Sequence, residues 1–460
     1  MGNKISTDVE RRIIDDFAKE IETKKILGNV PEHDVIEFRN DRLIKKARPI
    51  YLVPVKLLRF RKDNGRIASD ITSYEKQHGV LDESLDSTQE IIRKILLQKD
   101  EENNTKLEKS IEHGGQDKAA IITADGFLIN GNRRKMAIEK LLDTTEDGKY
   151  EMLKVVILPG KNDKDGGPPT IREIEQIENR YQLQSDGKSE YTNFDRAISI
   201  QRKINAGMSL REQLLDDPTH VGLTEKEFNR VLQKYKEEFL GPLECIDRYL
   251  AQLGRNGLYD NISEGRTDRE GRWYSFIDYY KVYKQLKDDK RRTELAVEED
   301  EVGDVEDVAF KIIRQKDFPD FKTHEVIRKL PKILKKGGTA KKELMKIQTA
   351  SNSLRGNYND SDNPKHIDKH WAKENATLII GRVKEAIRRA DHEEEIEGPL
   401  TLLEDALKKL NHKEMVTENL DIHKLDAAYK KTKEIQERAH ELEKEFWEHK
   451  QKAKRILNSK

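Results

Sequence analysis

One cysteine, Cys245, stands among 460 residues. That excludes an intrachain disulfide framework and a cysteine-rich zinc site, and a reducing, cytoplasmic setting is the natural expectation. Aromatic residues are scarce, at 6%, so the cores are expected to be aliphatic and helical. Net charge is absent too: 87 Lys and Arg balance 87 Asp and Glu. A polyanionic partner therefore has to be met by a local patch, not by a basic chain. No run approaches the ~20 apolar residues of a membrane span, and the opening MGNKISTDVERR has no apolar signal-peptide core. Neither membrane insertion nor secretion is expected. The phosphate loop G-x-x-x-x-G-K-[ST], the dinucleotide G-x-G-x-x-G and the zinc-protease H-E-x-x-H are all missing. His366 and His370 lie four apart with no third ligand in view, so they read as surface histidines on the helix after Pro364.

What the chain has is charge in helical patterns. Charged residues make up 38% and apolar ones 35%, which is polar for a globular protein but too apolar for a wholly disordered one. Residues 1–48 read as a helical extension, with Val9, Ile13, Phe17 and Ile21 recurring at a spacing of four. Residues 49–165 mix strands and helices. In YLVPVKLLRF, Pro54 demotes the strand to an edge or a kinked position. Ser87 and Glu90 are spaced as a capping box at the head of a helix. A second helix stops at Gly114 and Gly115. AAIIT and FLIN flank Asp125-Gly126, which predicts a hairpin with a primed turn. LKVVILPG reads as a further buried strand, and 161–169 as a loop.

Strands then cease. Residues 166–295 read as a helical domain with capping pairs at Ser209/Glu212 and Thr224/Glu227. The acidic run 296–307 reads as a solvated linker, 308–348 as helical, and 349–366 as a linker rich in Asn, Ser, Gly and Asp. Residues 366–460 read as a helical hairpin or coiled coil, because Leu425, Tyr429, Thr432, Ile435, Ala439, Leu442 and Phe446 step by three and four. The predicted class is α+β: a small mixed-sheet domain, a mostly helical region, and a helical C-terminal part.

The stretch GFLINGNRRKMAIEKLL carries the sharpest signal. A strand, a glycine turn and a helix follow one another, with Asn132 placed as N-cap. Arg133, Arg134 and Lys135 then fill the first helical turn, where acids are preferred and each exposed cation opposes the helix dipole by about 0.3–1 kcal/mol. The pattern makes sense if an anion binds at the helix start, where free N–H groups and guanidinium forks converge. The plain alternative is that the cations face water or pair with distant carboxylates.

Together with this turn, IEHGGQDKAAII (111–122) and IENRYQLQ (177–184) occur in an order that resembles the ParB/sulfiredoxin superfamily over roughly 50–240. The resemblance implies a nucleotide site for CTP or ATP with Mg²⁺. By matching positions, Gly131, Asn132, Arg133 and Arg134 would meet phosphates, Gly115 and Gln116 the base or ribose, and Glu178 and Asn179 the metal and phosphates. Many ParB proteins have a glutamate where this chain has Asn132; an amide cannot act as a base, which puts turnover in question. Sulfiredoxin chemistry needs a cysteine at that place and is excluded. The catalytic residues remain unassigned.

In 206–239 the second of two capped helices would display Lys226, Asn229, Arg230, Gln233 and Lys234 toward DNA, although the connection 216–223 exceeds the 3–4-residue turn of a helix-turn-helix. A glycine-rich stretch with Arg266, Arg269, Arg272 and Trp273 reads as a basic loop. The resemblance thus implies a nucleotide-switched, DNA-associated homodimer acting in plasmid or phage partition, regulation or defence. Alternatives are a ParB-like nuclease, phosphotransferase or weak nucleoside triphosphatase, and a non-catalytic interaction module.

Overall fold

The computed structural model describes residues 9–99, 101–145, 147–183, 192–215, 217–220, 222–262, 265–352 and 364–457. The chain is mixed α+β and mostly helical. Its strands are β1 (Ile26–Leu27), β2 (His33–Asp34), β3 (Arg48–Pro54), β4 (Ala120–Ile122), β5 (Leu128–Asn130) and β6 (Met152–Ile157). They form one sheet in the order β1-β3-β6-β4-β5, with β2 also on β3. β3 and β6 are antiparallel, β4 and β6 parallel, and β4 and β5 form the expected hairpin. Thus β1 and β2, from the N-terminal stretch, belong to the sheet.

Alternation along the strands sorts side chains to two faces. Ile122, Leu128 and Val155 enter the core shared with Met136 and Ile92, whereas Ile121, Ile129 and Val156 enter the one shared with Ile174 and Ile177. Two expectations are corrected. β3 is not an edge strand: Pro54 is its last residue, so the ladder is complete before proline ends it. The hairpin turn is not of the primed kind. Within it only Gly126 has positive φ, at +85°, and its N–H closes on Thr123 O at 2.9 Å, a longer loop with glycine in the left-handed position.

The sheet domain's helices are α1 (Asp15–Lys24), α2 (Ala68–His78), α3 (Asp86–Lys99), α4 (Glu101–Gly114) and α5 (Asn132–Thr145). α1 is shorter than the stripe from Val9 predicted. Residues 9–14 are extended, bridging Glu10 to Thr170, because buried Asp125 draws them in: its carboxylate accepts from Arg11 at 2.8 Å and from Ile14 N–H at 3.0 Å. α3 begins two residues early, with Gln89 N–H on Leu85 O, so Ser87 lies inside the first turn and cannot cap it. α4 ends as read, with Gly115 at φ +71°.

The remaining helices are α6 (Ile171–Leu183), α7 (Asn193–Asn205), α8 (Leu210–Leu215), α9 (Glu225–Tyr235), α10 (Gly241–Gln252), α11 (Gly265–Lys287), α12 (Asp289–Glu294), α13 (Val302–Gln315), α14 (Thr323–Leu334), α15 (Thr339–Met345), α16 (Pro364–Leu410) and α17 (Leu425–Leu457). Both capping boxes at Ser209 and Thr224 form. The helical core is not purely aliphatic. The few aromatics gather in it, with Tyr249, Phe276, Tyr279 and Phe310 in contact pairs at 5.2–6.4 Å between ring centroids. The acidic run 296–307 is not a solvated linker: α13 starts inside it, and buried Glu306 accepts from Arg248 at 2.9 Å and from the Tyr279 hydroxyl at 3.0 Å. Of the linker expected at 349–366, residues 353–363 lie outside the described residues.

The chain divides into two compact units, 1–390 and 391–460. In the second, the expected stripe on α17 is largely uncovered: Tyr429, Ile435 and Phe446 are exposed, as are Leu400 and Leu407 on α16. No helix among the described residues is long and apolar enough to cross a membrane.

Candidate functional site

β5 hands the chain to α5 through Gly131, at φ +105°. Lys135 N–H bonds to Gly131 O at 3.0 Å, so Gly131 holds the N-cap and Asn132 is the first helical residue, one place later than its side chain suggested. Glycine is required twice over there, by the backbone angle and because a Cβ would lie 2.5 Å from Ala120 Cβ. The expected trio of cations is a pair. Successive helical residues turn by about 100°, which carries Lys135 round to the protein side. Its buried ammonium binds Glu139 and sits 4.1 Å from the Phe60 ring centre.

A cavity of about 490 Å³ opens at this helix start. Gly131, Asn132, Arg133 and Arg134 form one wall. Gly115 and Gln116, after α4, form another, and Glu178 of α6 a third. Arg66 and Tyr181 also line it; no local pattern marks Arg66, and Tyr181 stands within the 177–184 stretch, two places after Asn179. Arg134 donates to the carbonyls of Lys118 and Ala119, the latter at 2.8 Å, and to Asn130 Oδ1 at 3.3 Å. Burial pushes the Arg134 guanidinium down to about 10, since the nearby acids do not offset its lost hydration. Arg133 Nε donates to Asn104 Oδ1 at 3.0 Å. Asn132 Oδ1 is buried with no hydrogen-bond partner, an acceptor open to a donating guest. Gln116 is less available: its amide is bracketed on the Lys154 backbone, with N–H to O and O to N–H contacts both at 2.8 Å.

The expected magnesium pair does not fit a metal. Glu178 accepts from Gly65 N–H at 2.8 Å and lies 3.6 Å from Arg61. Asn179 does not line the cavity, and its amide oxygen accepts from the Lys203 ammonium. Lys203 is also 3.5 Å from Glu175, which is 3.2 Å from Arg61. Two buried cations are balanced by buried Glu178 and largely covered Glu175, so a divalent ion would add uncompensated charge, with an ammonium already at the amide oxygen. Burial raises the Glu175 carboxyl above its ordinary value. Among the described residues no group of three His, Cys, Asp or Glu is placed to hold a metal. Tertiary contacts alone created this quartet; Arg61 and Lys203 carry no motif.

A second groove, of about 780 Å³, runs along α9. Lys226, Asn229, Arg230, Gln233 and Lys234 are exposed and all line it. Their spacing puts them on one helical face. Exposed Tyr274 and the cations Lys281 and Arg328 lie opposite. Acids are interleaved: Gln233 binds Glu237 at 2.9 Å, and Lys281 and Arg328 reach Asp278 at 2.9 and 2.8 Å. From Gly265 on, the glycine-rich stretch 254–276 read as a basic loop is instead the start of α11, because its apolar residues complete the helical core; the part around Gly257 is a turn. Trp273 is buried and donates to Glu238 O at 3.2 Å, so it cannot stack on a base. The side chains of Arg266 and Arg269 lie outside the described residues. Compared with protein-family models, curated proteins and solved structures, the chain matches none.

Proposed function

We propose that the chain is a ParB-like, nucleotide-responsive, DNA-associated protein, with a triphosphate (CTP or ATP) held at the head of α5. The observation that carries this reading is convergence. Residues from three distant stretches, 115–117, 131–134 and 178, line one cavity, and among the described residues Arg134 forms no ion pair, although Asp117 lines the same space. A phosphate at this place would accept from free N–H groups of the first turn and from Arg133 and Arg134. Mg²⁺, if present, would be carried on the phosphates, since Glu178 and Asn179 are otherwise engaged.

The α9 groove is the proposed DNA contact, made chiefly to phosphates by Lys226, Arg230 and Lys234. Coupling has a physical route. Glu178 lines the cavity and is itself one of the quartet with Arg61, Glu175 and Lys203; Lys203 belongs to α7, and α7 shares its core with Phe228 of α9. A guest carrying negative charge beside Glu178 would bias that quartet, and through it α9. The uncovered stripes of 391–460 are the proposed dimer contact. Binding without turnover is proposed, because Asn132 cannot take a proton and Asp125 is locked on Arg11.

The test is equilibrium binding of labelled CTP, ATP and GTP, with and without Mg²⁺ and duplex DNA, with product analysis. Arg134→Ala is expected to abolish nucleotide binding while leaving the far-ultraviolet circular dichroism spectrum unchanged. An unaltered Kd in that variant ends the assignment. Phosphate release or nicking by the wild type would favour the enzymatic reading, and no binding at all the interaction module.

A further inference from the structure

Far from the α5 cavity in sequence, a second cavity of about 700 Å³ lies where α13 ends and α16 begins. Its wall includes Arg272, Arg314 and Gln315, and its mouth Lys316, Lys369 and Lys373. The carboxylates on it are Asp317 and Asp368. Asp368 is already shared: one oxygen accepts from Arg314 at 2.9 Å and the other from Arg255 at 3.0 Å. Arg272 is only 6% exposed, yet its Nε and Nη1 have no hydrogen-bond partner. Gln315 Oε1, also buried, has none either.

A guanidinium cannot shed its proton to escape burial. Water could satisfy its N–H groups but not its charge, and a buried charge without a counter-charge is costly. The remaining solution is an anion from outside. Cations approach this space from several sides. Arg272 comes from α11, Lys369 and Lys373 lie one turn apart on α16, and Lys316 follows the end of α13. Lys316 holds φ +63°, in a tight turn closed by Asp317 N–H to Gln315 O at 2.7 Å. Donors converging from separate elements suit a multiply charged anion with oxygens on every side better than a flat monocarboxylate.

We propose that this cavity is a second anion site, built around Arg272, that takes a small polyphosphate-class anion. It does not depend on the reading of the α5 cavity. The test uses the full chain carrying Arg134→Ala, so that the first cavity is silenced, and inorganic pyrophosphate as the probe in calorimetry and thermal melts. Pyrophosphate should bind and raise the melting temperature. Adding Arg272→Met should weaken binding by about tenfold or more, the loss of a charge-assisted contact. Without pyrophosphate, Arg272→Met alone should melt higher than wild type, because a buried uncompensated charge is gone. Lys369→Gln with Lys373→Gln, both exposed, should weaken binding with no change in melting. Unchanged pyrophosphate affinity in the Arg134→Ala, Arg272→Met chain overturns the proposal. So does tricarballylate binding as tightly as pyrophosphate, which would make the site a general carboxylate trap.

Discussion

At the head of α5, Arg134 touches carbonyl and amide oxygens and no carboxylate; along α9, the groove's cations and amides stand among Glu237, Glu238 and Asp278. Arg134 is half-buried, whereas Lys226, Arg230 and Lys234 are exposed. A half-buried cation with no ion pair binds strongly and geometrically, because low local dielectric strengthens each contact. Exposed cations set among acids are screened by salt and by those acids, and each contributes little. The lesson is that a row of cations in a sequence says less about affinity than whether tertiary contacts have already supplied their counter-charges.

The largest effect that would break this contrast is expected at Gly131. Gly131→Ala forces positive φ on a residue with a Cβ and drives that atom into Ala120. We expect a loss of about 2–5 kcal/mol in chemical denaturation and no nucleotide binding; a stable variant that still binds would show that the turn does not set the site. Next comes Arg134→Ala, with nucleotide affinity down by about a hundredfold or more, from charged hydrogen bonds of about 1.5–3 kcal/mol each, and DNA affinity in the absence of nucleotide unchanged.

A subtler probe is Arg134→Lys. The guanidinium is pushed down only to about 10, so wild-type nucleotide affinity should stay flat from pH 7 to 9. A lysine starts lower, and burial lowers it further toward neutrality. The protonated form is the one that binds, so affinity of this variant should fall as pH rises across 7–9. A flat profile would mean that the charge at that place does not hold the phosphates. On the other side of the comparison, Arg230→Ala and Lys234→Ala should each weaken DNA binding about three- to tenfold and reduce the salt slope by about one. A hundredfold effect from either would erase the distinction between the two surfaces. The smallest effect on both sites is expected from Leu403→Asp with Leu407→Asp. These should lower the mass seen in sedimentation from dimer to monomer and leave nucleotide affinity in place; an unchanged dimer would exclude the α16 stripe as the contact.

Much of the local structure could be read directly. The hairpin, the stop at Gly115 and the capping boxes at Ser209 and Thr224 follow from short-range chemistry: a side chain bonding its own turn, or a glycine where φ is positive. Reading failed where a remote partner outvoted the local pattern. Asp125 pulled residues 9–14 out of a helix, Arg248 and Tyr279 drew the acidic run into α13, and the helical core claimed Trp273 from a supposed loop.

By itself, the amino-acid order determined which residues cap, turn and alternate, and it marked the glycine and paired arginines at the start of α5, because those signals act within about one turn of the chain. Only the tertiary structure decided which cations keep an unmet charge. Among the described residues Arg134 and Arg272 form no ion pair, while Lys203 of α7 is neutralised by Glu175 of α6. Electrostatic pairing depends on distance through space, and the partners lie up to tens of residues apart along the chain.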